Sequence, residues 1–333
     1  MKAVGYTADG PLENLELPEP EPEARDLLVR VKAIAVNPVD AKIRGRIQPT
    51  PADPPKILGW DAVGEVVATG SEVSLFQPGD RVWYAGDVTR PGCNAELQCV
   101  DERIAGRAPQ ELDDARAAAM PLTTITAWEM LFERLQLPRG ENPEGRRLLI
   151  VGAGGGVGSM LVQLARQLTS VEIVATASRP DSRQWVRDLG AHHVIDHSHS
   201  LQKGIRDAGV GPITDVASTN RTGEHFDELV SLLAPQGRLA LIDDPADGLD
   251  IMKMKQKSLS LHWEFMFTRA MFDTKDMQAQ HALLSEVAEL VEQSVLRTTM
   301  GEHYGRINAE NMEKAHAAIK SEHTVGKIVM EGF

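Results

Sequence analysis

Cysteine is scarce in this sequence, and it has neither a long apolar run nor an excess of basic residues. Its 333 residues contain 2 cysteines, Cys93 and Cys99, too few for a disulfide framework, so we expect a reducing compartment, the cytoplasm. No apolar run reaches the length of a membrane span, and we expect no signal peptide. The net charge of −13 argues against nucleic-acid and membrane-surface partners, because both need basic patches.

A glycine-rich turn between an apolar run and an apolar-periodic segment is the most informative stretch. Gly152, Gly155 and Gly158 give the spacing G-x-x-G-x-x-G; the more familiar G-x-G-x-x-G fails because Ala153 stands at its first position. Glycines in such a turn let a pyrophosphate approach the backbone, and the helix that follows presents free N–H groups to it. In this context a dinucleotide site is favoured over a plain turn. The predicted contacts are Gly152, Ala153, Gly155, Gly156, Val157 and Gly158.

The arrangement of predicted elements changes along the chain. Strands are predicted at 1–6, 26–36, 62–69 and 81–84, and helices at 113–120 and 124–135. From residue 147 onward strands and helices alternate, with strands at 148–151, 172–177, 193–195, 214–217 and 238–242. Such alternation predicts an α/β fold with a parallel sheet covered by helices on both faces.

Several motifs occur in a fixed order. They are Val-Asn-Pro-Val-Asp at 36–40, Ile-Leu-Gly-Trp-Asp-Ala-Val-Gly at 57–64, Phe-Gln-Pro-Gly-Asp-Arg-Val at 76–82, Leu-Thr-Thr-Ile-Thr-Ala-Trp at 122–128 and Thr-Val-Gly-Lys-Ile-Val at 324–329. Together with the glycine turn they resemble the medium-chain dehydrogenase/reductase superfamily, in its zinc-free, quinone oxidoreductase-like branch. The resemblance implies a GroES-like, β-rich catalytic domain from residues 1–121 and 260–333. It also implies a Rossmann NADP-binding domain with a doubly wound parallel sheet from residues 122–259, and an active site between the two.

The zinc ligands of the related alcohol dehydrogenases are replaced here. In the zinc alcohol dehydrogenases that the chain resembles, a cysteine stands near the position of Asn37. A Gly-His-Glu stands at positions 59–61, and a further zinc ligand near the position of Leu122. Asn37, Trp60 and Leu122 are not usual zinc ligands, and a structural zinc lobe needs four closely spaced cysteines. We therefore predict no metal. The histidines at 192, 193, 197 and 199 lack a ligand spacing, and solvated loop residues are the favoured interpretation.

The choice of cofactor is argued from charge. Rossmann folds that bind NAD carry an acid about twenty residues beyond the glycines, where it holds the ribose 2′-hydroxyl. Ser178 and Arg179 stand there instead and suit a 2′-phosphate, with Arg183 one turn further on, so we predict NADPH. The alternative is that Arg179 is only a solvent-facing cation. The resemblance adds His197 as a residue beside the adenosine.

The catalytic predictions concern Asn37, Lys42, Trp60 and Asp61. Asn37 is expected to donate a hydrogen bond near the nicotinamide, and Trp60 and Asp61 to line the active site. Related enzymes often have a tyrosine at the place of Lys42, so Lys42 either supplies positive charge to an enolate or points to solvent. Trp60 either stacks on a flat substrate or is ordinary packing.

Four further cofactor contacts are predicted from position and resemblance. They are Thr126 near the phosphates, Ile242 and Asp243 near the nicotinamide ribose, and Lys327 in the tail. The strand predicted at 259–265 resembles the edge strand that pairs with its twin in family dimers, which predicts a homodimer.

The predicted function is a zinc-independent, NADPH-dependent reduction of quinones or α,β-unsaturated carbonyls. Such acceptors are already electrophilic, so hydride transfer to them needs no Lewis acid. Two alternatives stay open: an NADPH-binding sensor or structural protein with little turnover, and an enoyl-thioester reductase.

Overall fold

A computed structural model describes residues 1–8, 10–50, 52–142 and 144–333. The chain forms two compact units, one from Met1–Ile125 and Phe267–Phe333, the other from Thr126–Met266. The domain boundaries expected from the sequence, 121/122 and 259/260, lie a few residues before the boundaries of these units, which fall at 125/126 and 266/267.

The elements are numbered in chain order. The strands are β1 (Lys2–Tyr6), β2 (Glu13–Glu16), β3 (Asp26–Val36), β4 (Lys56–Ile57), β5 (Ala62–Thr69), β6 (Arg81–Tyr84), β7 (Leu97–Asp101), β8 (Ala105–Arg107), β9 (Arg147–Val151), β10 (Glu172–Thr176), β11 (His193–Ile195), β12 (Ile213–Ser218), β13 (Leu233–Leu241), β14 (Ser260–Trp263), β15 (Met300–His303) and β16 (Lys327–Glu331). The α-helices are α1 (Pro38–Arg46), α2 (Asp114–Ala118), α3 (Pro121–Trp128), α4 (Gly156–Leu168), α5 (Pro180–Asp188), α6 (Leu201–Asp207), α7 (Thr222–Leu232), α8 (Thr268–Met271), α9 (Ala279–Glu292) and α10 (Ala309–Lys320).

The first unit is built around the long strand β3. Its buried residues alternate with Arg30 and Lys32, which is the pattern of a strand with one face against the core. Strand β3 pairs antiparallel with β5, β7 and β16, and the large sheet runs in the order β15-β16-β3-β5-β6-β8. A smaller sheet has the order β2-β1-β4.

The second unit contains a parallel sheet with the order β11-β10-β9-β12-β13-β14. Counted within the unit this is 3-2-1-4-5-6, the order of dinucleotide-binding folds, and the direction of winding reverses between β9 and β12. Ligands bind such sheets at the carboxyl ends of the strands beside this reversal. The α/β fold class predicted from the sequence is confirmed.

Burial explains why the central strand β9 is almost entirely apolar. Leu148, Leu149, Ile150 and Val151 of β9 are all at most 1% exposed, because helices cover both faces of a parallel sheet. The helix α4 that follows packs against β9 and β10, and every residue from Gly158 to Ala165 is buried, so this part of the helix is covered on all sides.

Three local features differ from the sequence prediction. The helix predicted at 124–135 begins at Pro121 and passes into a π-helical turn at Glu129–Arg134. The strand predicted at 259–265 is β14, which pairs with β13 and so lies in the second unit, whereas a boundary at 259/260 assigns it to the first. Helix α1 was not predicted, because few of its residues are apolar and only Asp40, Ala41 and Ile43 are buried.

In the described part of the chain, no helix combines the length and apolar character needed to cross a membrane.

Candidate active site

The glycine turn lies where the sheet of the second unit reverses its winding. Gly152 follows β9 with a φ of +79°, and α4 begins after Gly155. A Cβ atom at Gly158 would lie 2.3 Å from the carbonyl oxygen of Gly152, so this glycine is required for close packing of helix on turn. A Cβ at Gly155 would meet nothing closer than 3.7 Å, so the space above this residue is open.

This geometry fits the pyrophosphate of a dinucleotide. Two glycines let the turn close tightly, and the third leaves room beside the N-terminus of a 13-residue helix. Ala153 is buried below the turn, where its N–H donates to the carbonyl of Thr176 (3.3 Å), while Gly156 and Val157 form the first turn of α4 and are partly exposed. The structure therefore brings the six predicted loop residues together at one sheet edge.

The predicted 2′-phosphate residues follow β10 and β11. Ser178 and Arg179 come directly after β10, and Arg183 lies in the first turn of α5. His197 follows β11, and its Nδ1 lies 3.0 Å from the hydroxyl of Thr176. Burial, assisted by neighbouring positive charges, lowers the pKa of His197. All four side chains are partly exposed at the carboxyl end of the sheet.

A buried polar cluster in the first unit unites Asn37, Asp61 and Lys327. Its position follows from strand register: Ile328 of β16 pairs with Val36 of β3, so Lys327 comes beside Asn37. Ala62 of β5 pairs with Ile34, which brings Asp61 to the same end of β3. Three distant chain segments thus deliver one side chain each to a single point.

The cluster is held together by short hydrogen bonds. The ammonium of Lys327 donates to Asn37 Oδ1 at 2.5 Å and to Asp61 Oδ2 at 2.8 Å. The amide of Asn37 donates to Asp61 Oδ2 at 3.2 Å and to the carbonyls of Ala35 and Trp60. Asp61 Oδ1 accepts the N–H of Leu122 at 3.1 Å. Both Asn37 and Lys327 thus form hydrogen bonds to other residues of the protein. Their predicted contacts with a cofactor stay predictions.

Charge in the cluster is set by burial. The side chains of Asp61 and Lys327 are 0% and 4% exposed, and burial raises the pKa of Asp61 while Lys327 offsets part of that rise. Asp40 is also buried, and its carboxylate accepts the N–H of Asn37 at 2.6 Å. Burial raises the pKa of Asp40 to about 7. Through the hydrogen bond from Asn37, Asp40 caps the start of α1, and it was not among the predicted site residues.

The other predicted site residues have different surroundings. Trp60 is completely buried, donates its indole N–H to the carbonyl of Asp87 at 3.1 Å, and contacts Phe267 edge to face. This favours the packing interpretation of Trp60 over stacking on a substrate. Lys42 is exposed on α1.

The remaining cofactor candidates lie in the second unit. Thr126 is buried in α3, and Ile242 is half-buried just after β13. The carboxylate of Asp243 accepts the backbone N–H of Thr222 at 2.8 Å and also its hydroxyl, so Asp243 anchors the start of α7. Asp243 therefore fixes the position of Thr222, where the loop that follows β12 leads into α7.

The residues at the family's zinc position do not fit a zinc ion. Both oxygens of Asp61 are occupied by Leu122, Asn37 and Lys327, and an ammonium 2.8 Å from the carboxylate repels a cation. Asn37 and Leu122 provide neither thiolate nor imidazole, the ligands that zinc prefers. Within residues 1–8, 10–50, 52–142 and 144–333, no three His, Cys, Asp or Glu side chains are grouped to hold a metal ion.

Two known protein families match this chain. The alcohol dehydrogenase GroES-like domain matches residues 23–110, and the zinc-binding dehydrogenase family matches residues 189–330.

Relatives match over nearly the full length. A zinc-type alcohol dehydrogenase-like protein of Staphylococcus aureus is 34% identical, covering 99% of each chain. A quinone oxidoreductase of Pseudomonas aeruginosa is 29% identical, again over 99% of each chain. Among solved structures, a Rhizobium etli protein provisionally assigned as a zinc-dependent alcohol dehydrogenase is 51% identical. It covers 100% of this chain and 98% of its own, with a TM-score of 0.95.

Proposed function

The chain belongs to the medium-chain dehydrogenase/reductase superfamily, and we propose that it is an NADPH-dependent reductase of quinones or α,β-unsaturated carbonyls that works without zinc. Membership makes it an oxidoreductase whose second unit fits a nicotinamide cofactor. The proposal extends this to NADPH and to a substrate class. The observation that carries it is the open space above Gly155, beside a strand end that has Arg179 where NAD-binding folds have an acid.

Different residues of the second unit are proposed to bind different parts of the cofactor. Backbone N–H groups at the start of α4 bind the pyrophosphate, and Arg179 with Arg183 binds the 2′-phosphate by forked donors. NADPH, when bound, supplies a hydride from its nicotinamide ring. Arg179 lies 3.4 Å from Asp181, and Arg183 lies 4.0 Å from Asp196. Both arginines are partly exposed at the carboxyl end of the sheet, where a phosphate is able to reach them.

We propose that the buried cluster of Asn37, Asp61 and Lys327 fixes the positions of the catalytic candidates Asn37 and Asp61 within the first unit. It ties β3, β5 and β16 together at one point, so it holds the loops that leave these strands.

The proposed substrate class is supported by side chains that do not fit a zinc ion. A zinc enzyme polarises a carbonyl at the metal, and the residues at the zinc position here do not fit that ion. Quinones and enones place the negative charge that follows hydride transfer on a conjugated oxygen, where hydrogen-bond donors stabilise it. The name of the Pseudomonas relative, a quinone oxidoreductase, supports this class.

The test is oxidation of NADPH or NADH, followed at the nicotinamide absorbance band in EDTA-treated protein. An ortho-quinone, an enone, a simple aldehyde and an enoyl thioester are offered in parallel. We expect turnover with the quinone or enone, preference for NADPH, and no effect of EDTA. Turnover of the aldehyde that EDTA abolishes would refute the zinc-free proposal. Tight NADPH binding with no turnover of any acceptor would move the assignment to a sensor.

We also propose a cytoplasmic homodimer. Strand β14 pairs with β13 on one side, and beside it Ile251, Trp263 and Phe265 are 62%, 54% and 49% exposed. An edge strand with apolar neighbours is suited to pairing with a second copy. Light scattering of the wild type and of a Trp263→Lys variant tests this, and an unchanged monomer in both would refute it. The proposed cytoplasmic location is supported by the two cysteines, Cys93 and Cys99, which are both free thiols.

A further inference from the structure

Basic side chains from three loops converge at one end of the parallel sheet. Arg179 follows β10, His197 follows β11, and Arg221 with His225 begins α7 after β12. We propose that Arg221 and His225 complete the site for the 2′-phosphate of NADPH, so that cofactor choice is made by α7 as well as by the loop after β10. This inference rests on the proposed function.

The loop after β12 is attached directly to the glycine turn. A Cβ atom placed on Gly152 would lie 2.3 Å from the hydroxyl of Thr219 and 2.4 Å from the amide oxygen of Asn220. The hydroxyl of Thr219 also donates to the carbonyl of Val151 at 2.8 Å. Residue 221 therefore follows immediately after two residues that touch the turn which holds the pyrophosphate.

A chain of contacts links the same turn to both histidines. The N–H of Gly152 donates to the hydroxyl of Thr176 at 3.0 Å, and that hydroxyl lies 3.0 Å from Nδ1 of His197. The rings of His197 and His225 are 6.4 Å apart between centroids. His225 thus reaches the ring of the residue expected beside the adenosine, although 28 positions separate the two in sequence.

The charges of these side chains act on His197. The pKa of His197 is lowered first by burial, then by His225, and also by Arg221 and Arg179, while Asp196 acts in the opposite direction. Positive charges from three loops therefore act on a single imidazole. Such a cluster attracts the dianionic 2′-phosphate of NADPH. The loop that binds the pyrophosphate does not by itself distinguish this 2′-phosphate from the 2′-hydroxyl of NADH.

Each arginine of the cluster has an exposed acid nearby. Arg221 lies 3.6 Å from Glu224, and Arg179 lies 3.4 Å from Asp181. A 2′-phosphate offers an arginine bidentate, charge-assisted hydrogen bonds, which are stronger than contacts of this kind at an exposed surface.

The backbone at Arg221 is held in an unusual conformation. Its φ is +50° and its ψ is 30°, in the left-handed region that non-glycine residues rarely adopt. Asp243 maintains this conformation by accepting the N–H of the next residue, Thr222, at 2.8 Å. A strained residue fixed by its neighbours is a feature of ligand clamps, and here it sets the direction in which the arginine leaves the chain.

The test measures binding of 2′,5′-ADP and of 5′-AMP by calorimetry, because the two ligands differ in the phosphate at issue. In Arg221→Ala we expect 2′,5′-ADP to bind about tenfold more weakly, as for the loss of one charge-assisted hydrogen bond, with 5′-AMP unchanged. His225→Lys, which fixes a positive charge at that place, should tighten 2′,5′-ADP. Arg206→Ala, which removes one exposed charge from α6, is the matched control and should change neither affinity. Thermal unfolding of each variant confirms that the fold is intact.

The outcomes separate this inference from the proposed function. If the wild type prefers 2′,5′-ADP, and Arg179→Ala loses that preference while Arg221→Ala and His225→Lys keep the wild-type affinities, NADPH binding stands and the role of α7 is refuted. If the wild type binds 5′-AMP as tightly as 2′,5′-ADP, both the NADPH assignment and this inference fall.

Discussion

Replacing Lys327 with methionine tests whether the buried cluster holds the first unit together. Methionine has a similar length and no charge, so the substitution removes the ammonium and keeps most of the volume. Asp61 then keeps its hydrogen bonds to Asn37 and to the N–H of Leu122 but loses its cation, and Asn37 Oδ1 loses its donor. The variant leaves a carboxylate buried without a countercharge.

The magnitude follows from the burial of the pair. Both side chains are at most 4% exposed, so solvent does not screen the loss. Removing one partner of a buried ion pair costs about 3–5 kcal/mol, against a total stability of about 5–15 kcal/mol. In a unit of this size about 1 kcal/mol corresponds to roughly 2–4 °C, so we expect the unfolding temperature to fall by about 10 °C.

The sign of the pH dependence gives a second readout. Without Lys327, the pKa of Asp61 in the folded state rises further, because burial raises it and the main offsetting charge is gone. The folded variant then binds a proton that the unfolded chain releases above its ordinary pKa of about 3.9. The stability deficit should therefore grow as the pH rises from acid toward neutral and shrink again on acidification.

Denaturant unfolding of four proteins measures these effects: the wild type, Lys327→Met, Asp61→Asn, and the double variant. Asp61→Asn removes the orphaned charge, so the double variant should regain part of the stability that Lys327→Met loses. A loss below about 1 kcal/mol in Lys327→Met, with no pH dependence, would show that the ion pair contributes as little as an exposed one.

Three other substitutions test separate parts of the structure. Gly155→Val should abolish binding of both NADPH and NADH, measured by calorimetry, while the unfolding temperature stays near that of the wild type, because its Cβ meets nothing within 3.7 Å; unchanged affinity would disprove the pyrophosphate site. Arg179→Ala should weaken NADPH about tenfold and leave NADH unaffected, and equal effects on both nucleotides would contradict the assigned 2′-phosphate contact. Burial, reinforced by Glu129, raises the pKa of Glu264, while the guanidinium of Arg134 at 2.8 Å offsets part of that rise; the folded protein therefore keeps a proton that the unfolded chain releases, and it loses stability as the pH rises above the ordinary pKa of about 4.3. Glu264→Gln should remove that loss in denaturant unfolding at alkaline pH, while Glu144→Gln, an exposed control, should retain it; identical pH profiles for all three proteins would refute the argument.

The fold of the second unit was accessible from sequence because its pattern is local. The strand at 148–151 is a continuous apolar run followed by Gly152, and the helices between the strands have apolar periodicity. The first unit was harder to predict. Helix α1 has mostly polar residues, and β7 and β8 are short strands whose pairing with β3 and β6 is a long-range property.

The candidate site shows the same division. The glycine turn and Arg179 could be predicted as cofactor contacts from the sequence, because both are recognised by their distance along the chain from one strand. The cluster of Asn37, Asp61 and Lys327 was found only as separate residues, since its unity comes from the antiparallel register of β16 on β3. No spacing in the sequence indicates that residues 290 positions apart share a hydrogen bond.

Arg221 and His225 illustrate why such residues escape sequence reasoning. The fingerprint for cofactor choice directs attention to the end of the second strand of the unit, about twenty residues beyond the glycines. The loop after β12 reaches the same place because β12 is the neighbour of β9 on the other side of the winding reversal. If Arg221 and His225 bind the 2′-phosphate as proposed, two loops far apart in sequence face one ligand position, and charge on either of them changes the choice of nucleotide. Specificity in such folds is best sought at the loops on both sides of the reversal.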